Sequence, residues 1–294
     1  MTDTAVTLPK PRSELGEIFH HLVRDPLGLL GLIIVTLIVA SALFAPLIAP
    51  YDPIAMNIPD RLQGPNLAHL MGTDQLGRDT FSRVIWGGRV ALQVALPTIA
   101  GAIAIGLILG MIAGYGPKWL DNLIVLFFDT VRSFPTVMFA LAVVALVGPS
   151  LNTVILVIMV TSIPTYGRVV RTLTQSLKEA EFITAEKALG ASTLRIMSVH
   201  LLPNVLGPLA VLAAMDIPTV VGLEAGLSFL GMGVKPPTPS WGSLLNDGYS
   251  LIRNTPWLII AGGIPLILTT LGFTFLGEAL RDVVDPKLRG KGGK

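Results

Sequence analysis

Long apolar stretches alternate along the chain with shorter polar segments. Six of them approach the ~20 residues that an α-helix needs to cross about 30 Å of hydrocarbon. They lie at about 27–49, 90–115, 121–148, 151–170, 204–230 and 256–279. The pattern predicts an all-α, polytopic membrane protein with six transmembrane helices. The third helix is expected to kink near Phe134 and Pro135, because proline interrupts helical hydrogen bonding.

Composition agrees with a membrane environment. Hydrophobic residues make up 52% of the 294 residues and charged residues only 14%, whereas soluble domains carry roughly 25% charged residues. The chain has no cysteine, which excludes disulfides, thiolate metal sites and a cysteine nucleophile. The first 27 residues are polar and no small-residue cleavage site follows the first apolar stretch, so we expect no cleaved signal peptide.

The positions of lysine and arginine predict the orientation in the membrane. Cytoplasmic loops carry an excess of these residues, and most of them lie on the cytoplasmic side if the N-terminus is inside. We therefore expect both termini in the cytoplasm, although the outer loop around Arg61–Arg89 is also basic. The net charge of +2 indicates no nucleic-acid partner. The predicted organisation is a cytoplasmic tail at 1–26, a first transmembrane helix at 27–49, an extracytoplasmic loop at 50–89, a five-helix core at 90–280 with a cytoplasmic hairpin at 171–203, and a basic cytoplasmic tail at 281–294.

The hairpin between the fourth and fifth apolar stretches is the most charged, helix-forming part of the interior of the chain. Its first predicted helix, SLKEAEFITAEKAL, carries an apolar row of Phe182, Ala185 and Leu189. Gly190 suits the left-handed position that ends a helix, and Ser192 can cap a second helix, TLRIMSVHLL, which is expected to stop before Pro203. Leu194, Met197 and Leu201 form the apolar row of that second helix.

Two interpretations of the hairpin remain open from its residues alone. Its apolar faces could lie on the transmembrane bundle of the same chain, which would make it a solvated connector. Alternatively, they could bind a cytosolic partner. A helix shorter than ~12–15 residues is marginal in water by itself, so it must pack against one or the other.

The hairpin resembles the cytoplasmic coupling loop of ABC-importer permeases, whose pattern is E-A-A, three residues, G, and then an apolar end of the I-x-L-P type. Gly190 matches the glycine and LLP at 201–203 matches the end. Thr184, Ala185 and Glu186 occupy the E-A-A positions, where only the middle alanine is kept.

Other segments are similar to the dipeptide, oligopeptide and nickel permeases, and to the second of their two permease subunits in particular. They are HLMGTDQLGRDTFSRVIWGGRVAL at 69–92, GPSLNTVILV at 148–157, EAGLSFLGMGVKPPTPSWGSLL at 224–245 and GEALRDVVDPKLRG at 277–290. Together these similarities cover most of residues 25–290 in the family's order.

The resemblance implies a mechanism and a set of partners. In this family two permeases pair in the membrane, and each sets its coupling hairpin into a groove of a cytosolic ATPase. ATP binding turns the membrane cavity outward, where a solute-binding protein delivers the cargo. The residues that the resemblance assigns to ATPase coupling are Phe182, Thr184, Ala185, Glu186, Ala188, Leu189 and Gly190.

The chain itself is expected to be a non-catalytic subunit without a cofactor. It has no G-x-x-x-x-G-K-[ST] phosphate loop, since Asp285 stands where the first glycine would precede Gly290 and Lys291. ATP hydrolysis therefore belongs to partner chains. The four histidines, His20, His21, His69 and His200, form no spaced ligand set, so we expect no metal site.

Two carboxylates fall inside the fifth apolar stretch. Asp216 and Glu224 are costly in a bilayer and usually face a bundle interior, so they could line the translocation path or make polar contacts between helices. Asp129 and Arg132 are three residues apart, which predicts an ion pair within one helix. Gly106, Gly110 and Gly114 form a ladder that predicts close helix packing.

Pro236 and Pro237 with Trp241 indicate a rigid outer loop, which could dock a binding protein or anchor at the membrane interface.

The predicted function is a permease subunit of a binding-protein-dependent ABC importer for di- or oligopeptides in a bacterial or archaeal plasma or inner membrane. Its partners would be a second permease, ABC ATPases, a solute-binding protein and membrane lipid. One alternative is a permease of the same family for nickel, glutathione or an opine-like solute. Another is a secondary transporter driven by an ion gradient, with Asp216 and Glu224 as proton carriers. The sequence does not specify the cargo.

Overall fold

A computed structural model describes residues 22–284, and this part of the chain is α-helical with one isolated β-bridge between Thr73 and Asp79. The predicted tails lie largely outside these residues, as do His20 and His21. The helices are α1 (Pro26–Leu43), α2 (Ala45–Ile48), α3 (Thr80–Tyr115), α4 (Lys118–Arg132), α5 (Thr136–Val147), α6 (Leu151–Lys178), α7 (Glu181–Ala188), α8 (Thr193–Phe229), α9 (Trp241–Ser250) and α10 (Trp257–Val284).

Five of the described helices, α1, α3, α6, α8 and α10, are long and apolar enough to cross a membrane. The third predicted span is instead a pair of helices, α4 and α5, bent by 81° at a short break. Pro135 lies at this break as the N-cap of α5, where a residue without an N–H group costs nothing. The structure thus has five candidate spans, or six if the bent pair counts as one.

Helix α3 begins ten residues before the predicted start of the second span. The carboxylate of Asp79 caps it by accepting a hydrogen bond from the Ser82 amide at 2.7 Å. Its first turns therefore extend the apolar helix into the polar segment that was predicted as loop.

The glycine ladder of α3 packs directly against α6, as predicted. A Cβ atom on Gly106 would lie 2.9 Å from the backbone nitrogen of Gly167, and one on Gly110 would lie 2.5 Å from the carbonyl oxygen of the same residue. Gly114 meets the side chain of Thr174 in the same way, at 2.7 Å. Small residues on both helices let the backbones of α3 and α6 come into contact.

A buried charge cluster joins the segment before α3 to α9. The Arg78 Nε donates to Asp74 Oδ2 at 2.6 Å, and the guanidinium of Arg83 lies 3.6 Å from the same oxygen. Asp247 of α9 lies 3.8 and 3.9 Å from Arg78 and Arg83. Two of the arginines of the basic outer segment, Arg78 and Arg83, are therefore balanced by the carboxylates of Asp74 and Asp247.

Trp241 is a core residue, which makes its predicted role as an anchor at the membrane interface wrong. It is 3% exposed, and its indole N–H donates to the carbonyl oxygen of Val84 at 2.9 Å. Gly87 and Gly88 of α3 leave the space that the indole ring fills. The ring fixes α9 against the first turns of α3.

Helix α8 does not stop before Pro203, contrary to the prediction. Residues Ile196–Leu201 form a π-helical turn, and the helix then continues to Phe229. A proline is tolerated here because it follows the wider turn at the start of the next regular segment, where the hydrogen-bond pattern has already changed.

Candidate functional site

The short helix α7 ends in a tight glycine turn. The chain leaves α6 at Glu179 and Ala180, so the first predicted hairpin helix is in fact two helices. Gly190 has a φ of +83°, the left-handed conformation that only glycine adopts at low cost. The amides of Gly190 and Ala191 donate to the carbonyls of Lys187 and Glu186, both at 3.0 Å, and these two bonds form a Schellman motif.

The apolar row of α7 faces away from the bundle. Phe182 is 45% exposed, Leu189 is 84% exposed, and Ala185 lies between them on the exposed surface. The residue that enters the core is Ile183, which is fully buried. Thr184 and Ala188 are also exposed. The chain's own spans therefore leave much of this row uncovered, which favours the partner interpretation for α7.

Two contacts hold α7 against different long helices. The Glu186 carboxylate lies 3.4 Å from Nε2 of His200, in the π-helical turn of α8, and the ring of Phe182 lies 6.4 Å from the same imidazole. On the other side, the Lys187 ammonium lies 5.7 Å from the centre of the Tyr115 ring, at the end of α3. A helix fixed to two spans can transmit a displacement to both.

The second predicted row of the hairpin is divided between core and surface. Leu201 is fully buried, whereas Leu194 is 76% exposed. Leu194 instead borders an apolar depression together with Ile108 and Met111 of α3. We call Phe182, Ala185 and Leu189 the hairpin patch.

The structure places the two carboxylates of the fifth span in separate environments. Glu224 is 1% exposed and accepts a hydrogen bond from the Ser228 hydroxyl at 2.6 Å, with Ser240 as a second partner. Asp216 is only half-buried and accepts from the Tyr166 hydroxyl at 3.1 Å. Glu224 is thus enclosed by protein, and Asp216 is not.

The ion pair predicted between Asp129 and Arg132 is wrong. Asp129 pairs with Arg168 of α6 at 2.5 Å, while Arg132 donates to the Thr165 hydroxyl at 3.0 Å. Both contacts are exposed, and both join α4 to α6.

Sequence reasoning missed the ion pair between Asp121 and Arg171. The Arg171 Nε and Nη2 donate to the two carboxylate oxygens at 2.5 and 2.7 Å. The two residues are fifty positions apart, so no local spacing indicates the pair. Among residues 22–284, no group of three His, Asp or Glu side chains could hold a metal ion.

These features define a helical, multi-pass membrane protein in which the short helix α7 exposes most of its side chains. Residues 106–290 match the sequence profile of the "Binding-protein-dependent transport system inner membrane component" family. Residues 13–65 match the "N-terminal TM domain of oligopeptide transport permease C". The chain belongs to this family of transport permeases.

Individual relatives match along nearly the whole chain. The dipeptide transport system permease protein DppC of Alkalihalophilus pseudofirmus is 41% identical over 93% of this chain and 90% of that protein. The di/tripeptide permease protein DppC of Pseudomonas aeruginosa is 36% identical over 98% and 96%. The glutathione permease protein GsiD of Pectobacterium atrosepticum is 36% identical over 95% and 93%.

A solved structure has the same fold. A chain of the MetNI methionine ABC transporter, in an inward-facing conformation, superposes with a TM-score of 0.54 at 20% sequence identity. The match covers 68% of this chain and 96% of that chain. The match shows that the two chains share the fold of the helical core.

Proposed function

We propose that the protein is a peptide-importing permease subunit, which forms a translocation path with a second permease and couples it to cytosolic ATPases through α7. The observation that carries this proposal is the outward-facing hairpin patch. Phe182 lies on a helix of eight residues and Leu189 directly follows it, and both are large, exposed apolar side chains. Such a helix is stable only when packed, and its free face offers the apolar anchors that a helix-binding groove takes.

The attachment of α7 supports a role in force transmission. A movement of α7 would act on α8 through Glu186 and His200, and on α3 through Lys187 and Tyr115. The buried Ile183 prevents the helix from sliding over the bundle without disturbing the core. Glu186 therefore holds α7 against α8 through His200, in addition to the contact with a partner that the coupling role assigns to it.

Peptides are the cargo best supported by the relatives. The two DppC proteins are named as dipeptide and di/tripeptide permeases. The glutathione permease relatives support glutathione as the second candidate cargo. Both assignments share an extracytoplasmic binding protein, as the matched family name implies.

The proposed topology has both termini and α7 in the cytoplasm of a bacterium. It consists of a cytoplasmic tail (1–26), a first transmembrane helix (27–49), an extracytoplasmic loop (50–89), a five-helix core (90–280) and a basic cytoplasmic tail (281–294). Residues 171–203 form its cytoplasmic hairpin. The paired arginines support this arrangement, because Arg78 and Arg83 share Asp74 and Asp247 and so add little free positive charge to the outer side.

Transport by the assembled importer in proteoliposomes tests the proposal. Uptake of a labelled dipeptide should require ATP, the partner ATPases and the binding protein, and an ionophore that dissipates ion gradients should not reduce it. Uptake by this chain alone, driven by a proton gradient, would instead establish a secondary transporter.

Cross-linking tests the docking of α7 directly. Because the chain has no cysteine, single Ala185→Cys or Ala188→Cys variants offer one thiol each on the exposed face. Either should form a cross-link to an ATPase that carries a thiol in its groove, whereas the matched Ile183→Cys variant, buried in the core, should not. Absence of a cross-link at every exposed position from 182 to 194 would contradict docking there.

A further inference from the structure

Asp216 lies half-buried in α8 without the cationic partner that Asp121 and Asp129 have. Asp121 and Asp129 are paired with arginines of α6, and Glu224 is sealed by serine hydroxyls. No lysine, arginine or histidine between residues 22 and 284 forms an ion pair with Asp216. A carboxylate in a membrane-spanning helix usually faces a cavity and has a charged partner.

The carboxylate is held in place by two hydroxyl groups. The Tyr166 hydroxyl donates to Asp216 Oδ2 at 3.1 Å, and Thr219 is a second donor from the next turn of α8. Tyr166 is fully buried, so its ring is fixed by the core. These donors orient the carboxylate, and neither of them carries a positive charge.

Asp216 borders a face of α8 that is left open by the described residues, 22–284. Thr219 and Gly222 follow it at intervals of three residues, which places them on adjoining parts of one side of the helix. Both are exposed, and a Cβ atom on Gly222 would meet no atom within 4 Å. A small solute moving along this face would therefore have access to the carboxylate.

We infer that Asp216, oriented by Tyr166, binds the primary ammonium group of the transported peptide on this open face of α8. The inference rests on the proposed function, since it assigns a ligand contact within the path of that importer. A carboxylate recognises an ammonium through charge attraction and up to three N–H donors, whereas an acetylated amine is neutral and offers a single N–H donor.

A thiol reporter next to Asp216 tests this without transport or ATP. A Gly222→Cys variant places a single thiol six residues, or about 9 Å along the helix axis, from Asp216. The assembled importer, with cysteine-free partner subunits and no binding protein, is labelled with a maleimide in the presence of three peptides. These are dialanine, N-acetyl-dialanine and N-acetyl-alanyl-lysine, at equal concentrations.

Dialanine should slow the labelling and N-acetyl-dialanine should not. N-acetyl-alanyl-lysine separates the two sources of an ammonium: no protection means that the site takes the peptide amino terminus, and protection means that it takes any primary ammonium. Adding Asp216→Asn should weaken protection by dialanine at least about tenfold, whereas Asp216→Glu keeps the charge and should retain part of it. Tyr166→Phe should give an intermediate loss.

Gly207 provides the matched control position. It is nine residues from Asp216, half a turn round the helix, and a Cβ atom there also meets nothing within 4 Å. Labelling of a Gly207→Cys variant should be unaffected by any of the peptides. Equal protection by dialanine and its acetylated form, no protection by either, or protection that survives Asp216→Asn would overturn the inference. These results do not affect ATP-dependent uptake by the unmodified importer, which tests the proposed function separately.

Discussion

The guanidinium of Arg171 binds both carboxylate oxygens of Asp121, with hydrogen bonds of 2.5 and 2.7 Å. This two-point contact fixes the angle between α4 and α6 next to the end of α3. Its geometry is specific to arginine, because lysine offers one ammonium group and not a planar fork.

Arg171→Lys should therefore lower the stability of the protein by roughly 1 kcal/mol, since both side chains are largely shielded from water. Thermal unfolding of the purified protein in detergent measures the change. Arg168→Lys is the matched control, because Arg168 and Asp129 are 44% and 58% exposed and share a single contact; it should change stability by less than about 0.5 kcal/mol. Equal losses in the two variants would contradict a special role of the Arg171 fork.

Gly110→Ala should separate α3 from α6. The added methyl group would lie 2.5 Å from the carbonyl oxygen of Gly167 and 2.6 Å from Cβ of Val170, so the backbones must move apart. We expect a loss of about 1–3 kcal/mol and a lower yield of folded protein. Gly222→Ala adds the same methyl group to open space and should leave the isolated chain at least as stable as before. An unchanged melting temperature for Gly110→Ala would show that the two helices do not pack as described.

Gly190→Ala should uncouple ATP hydrolysis from transport. No atom lies within 4 Å of the added methyl group, so its effect comes from the φ of +83°, which costs a residue with a Cβ about 1–2 kcal/mol. The turn should open and shift the hairpin patch. The assay is uptake per ATP hydrolysed in proteoliposomes.

Gly190→Asn is the control for that prediction, because asparagine tolerates the left-handed conformation better than alanine. It should retain most of the coupling. Similar coupling in both variants, at the wild-type ratio, would show that the glycine turn does not position the docking face.

Asp74→Asn should be among the most damaging single substitutions. Asp74 is fully buried and accepts hydrogen bonds from the amides of Leu76 and Arg78 and from the Arg78 side chain. Its removal leaves two buried guanidinium groups with only the distant Asp247, which costs about 3–5 kcal/mol. The amount of folded protein recovered from membranes should fall sharply. The exposed Asp52→Asn should have little effect, and a comparable loss there would point to a general charge effect.

Apolar length and helix-ending residues predicted most of the helices, including the break at Pro135 and the turn at Gly190. They could not predict the contacts of the charged residues. Asp129 had a candidate partner three residues away, yet it pairs with Arg168 because tertiary packing brings α6 closer. A local spacing says which residues can meet, and only the fold decides which of them do.

The candidate site shows the same limit. The row of Phe182, Ala185 and Leu189 was evident in the sequence, but its direction was not, since Ile183 proved to be the residue that enters the core. An amphipathic pattern defines a face and leaves open what covers it. Asp216 and Glu224 are likewise equivalent in sequence, and only the enclosure of Glu224 by Ser228 and Ser240 separates them.

The backbone contact between Gly110 and Gly167 has a mechanical consequence. Helices that touch at glycines cannot slide past one another in small steps, because a side chain would enter the space that a glycine leaves. Helices α3 and α6 should therefore swing as one rigid lever during each transport cycle. We expect its pivots where the chain enters or leaves the two helices, at the short links 116–117, 148–150 and 179–180.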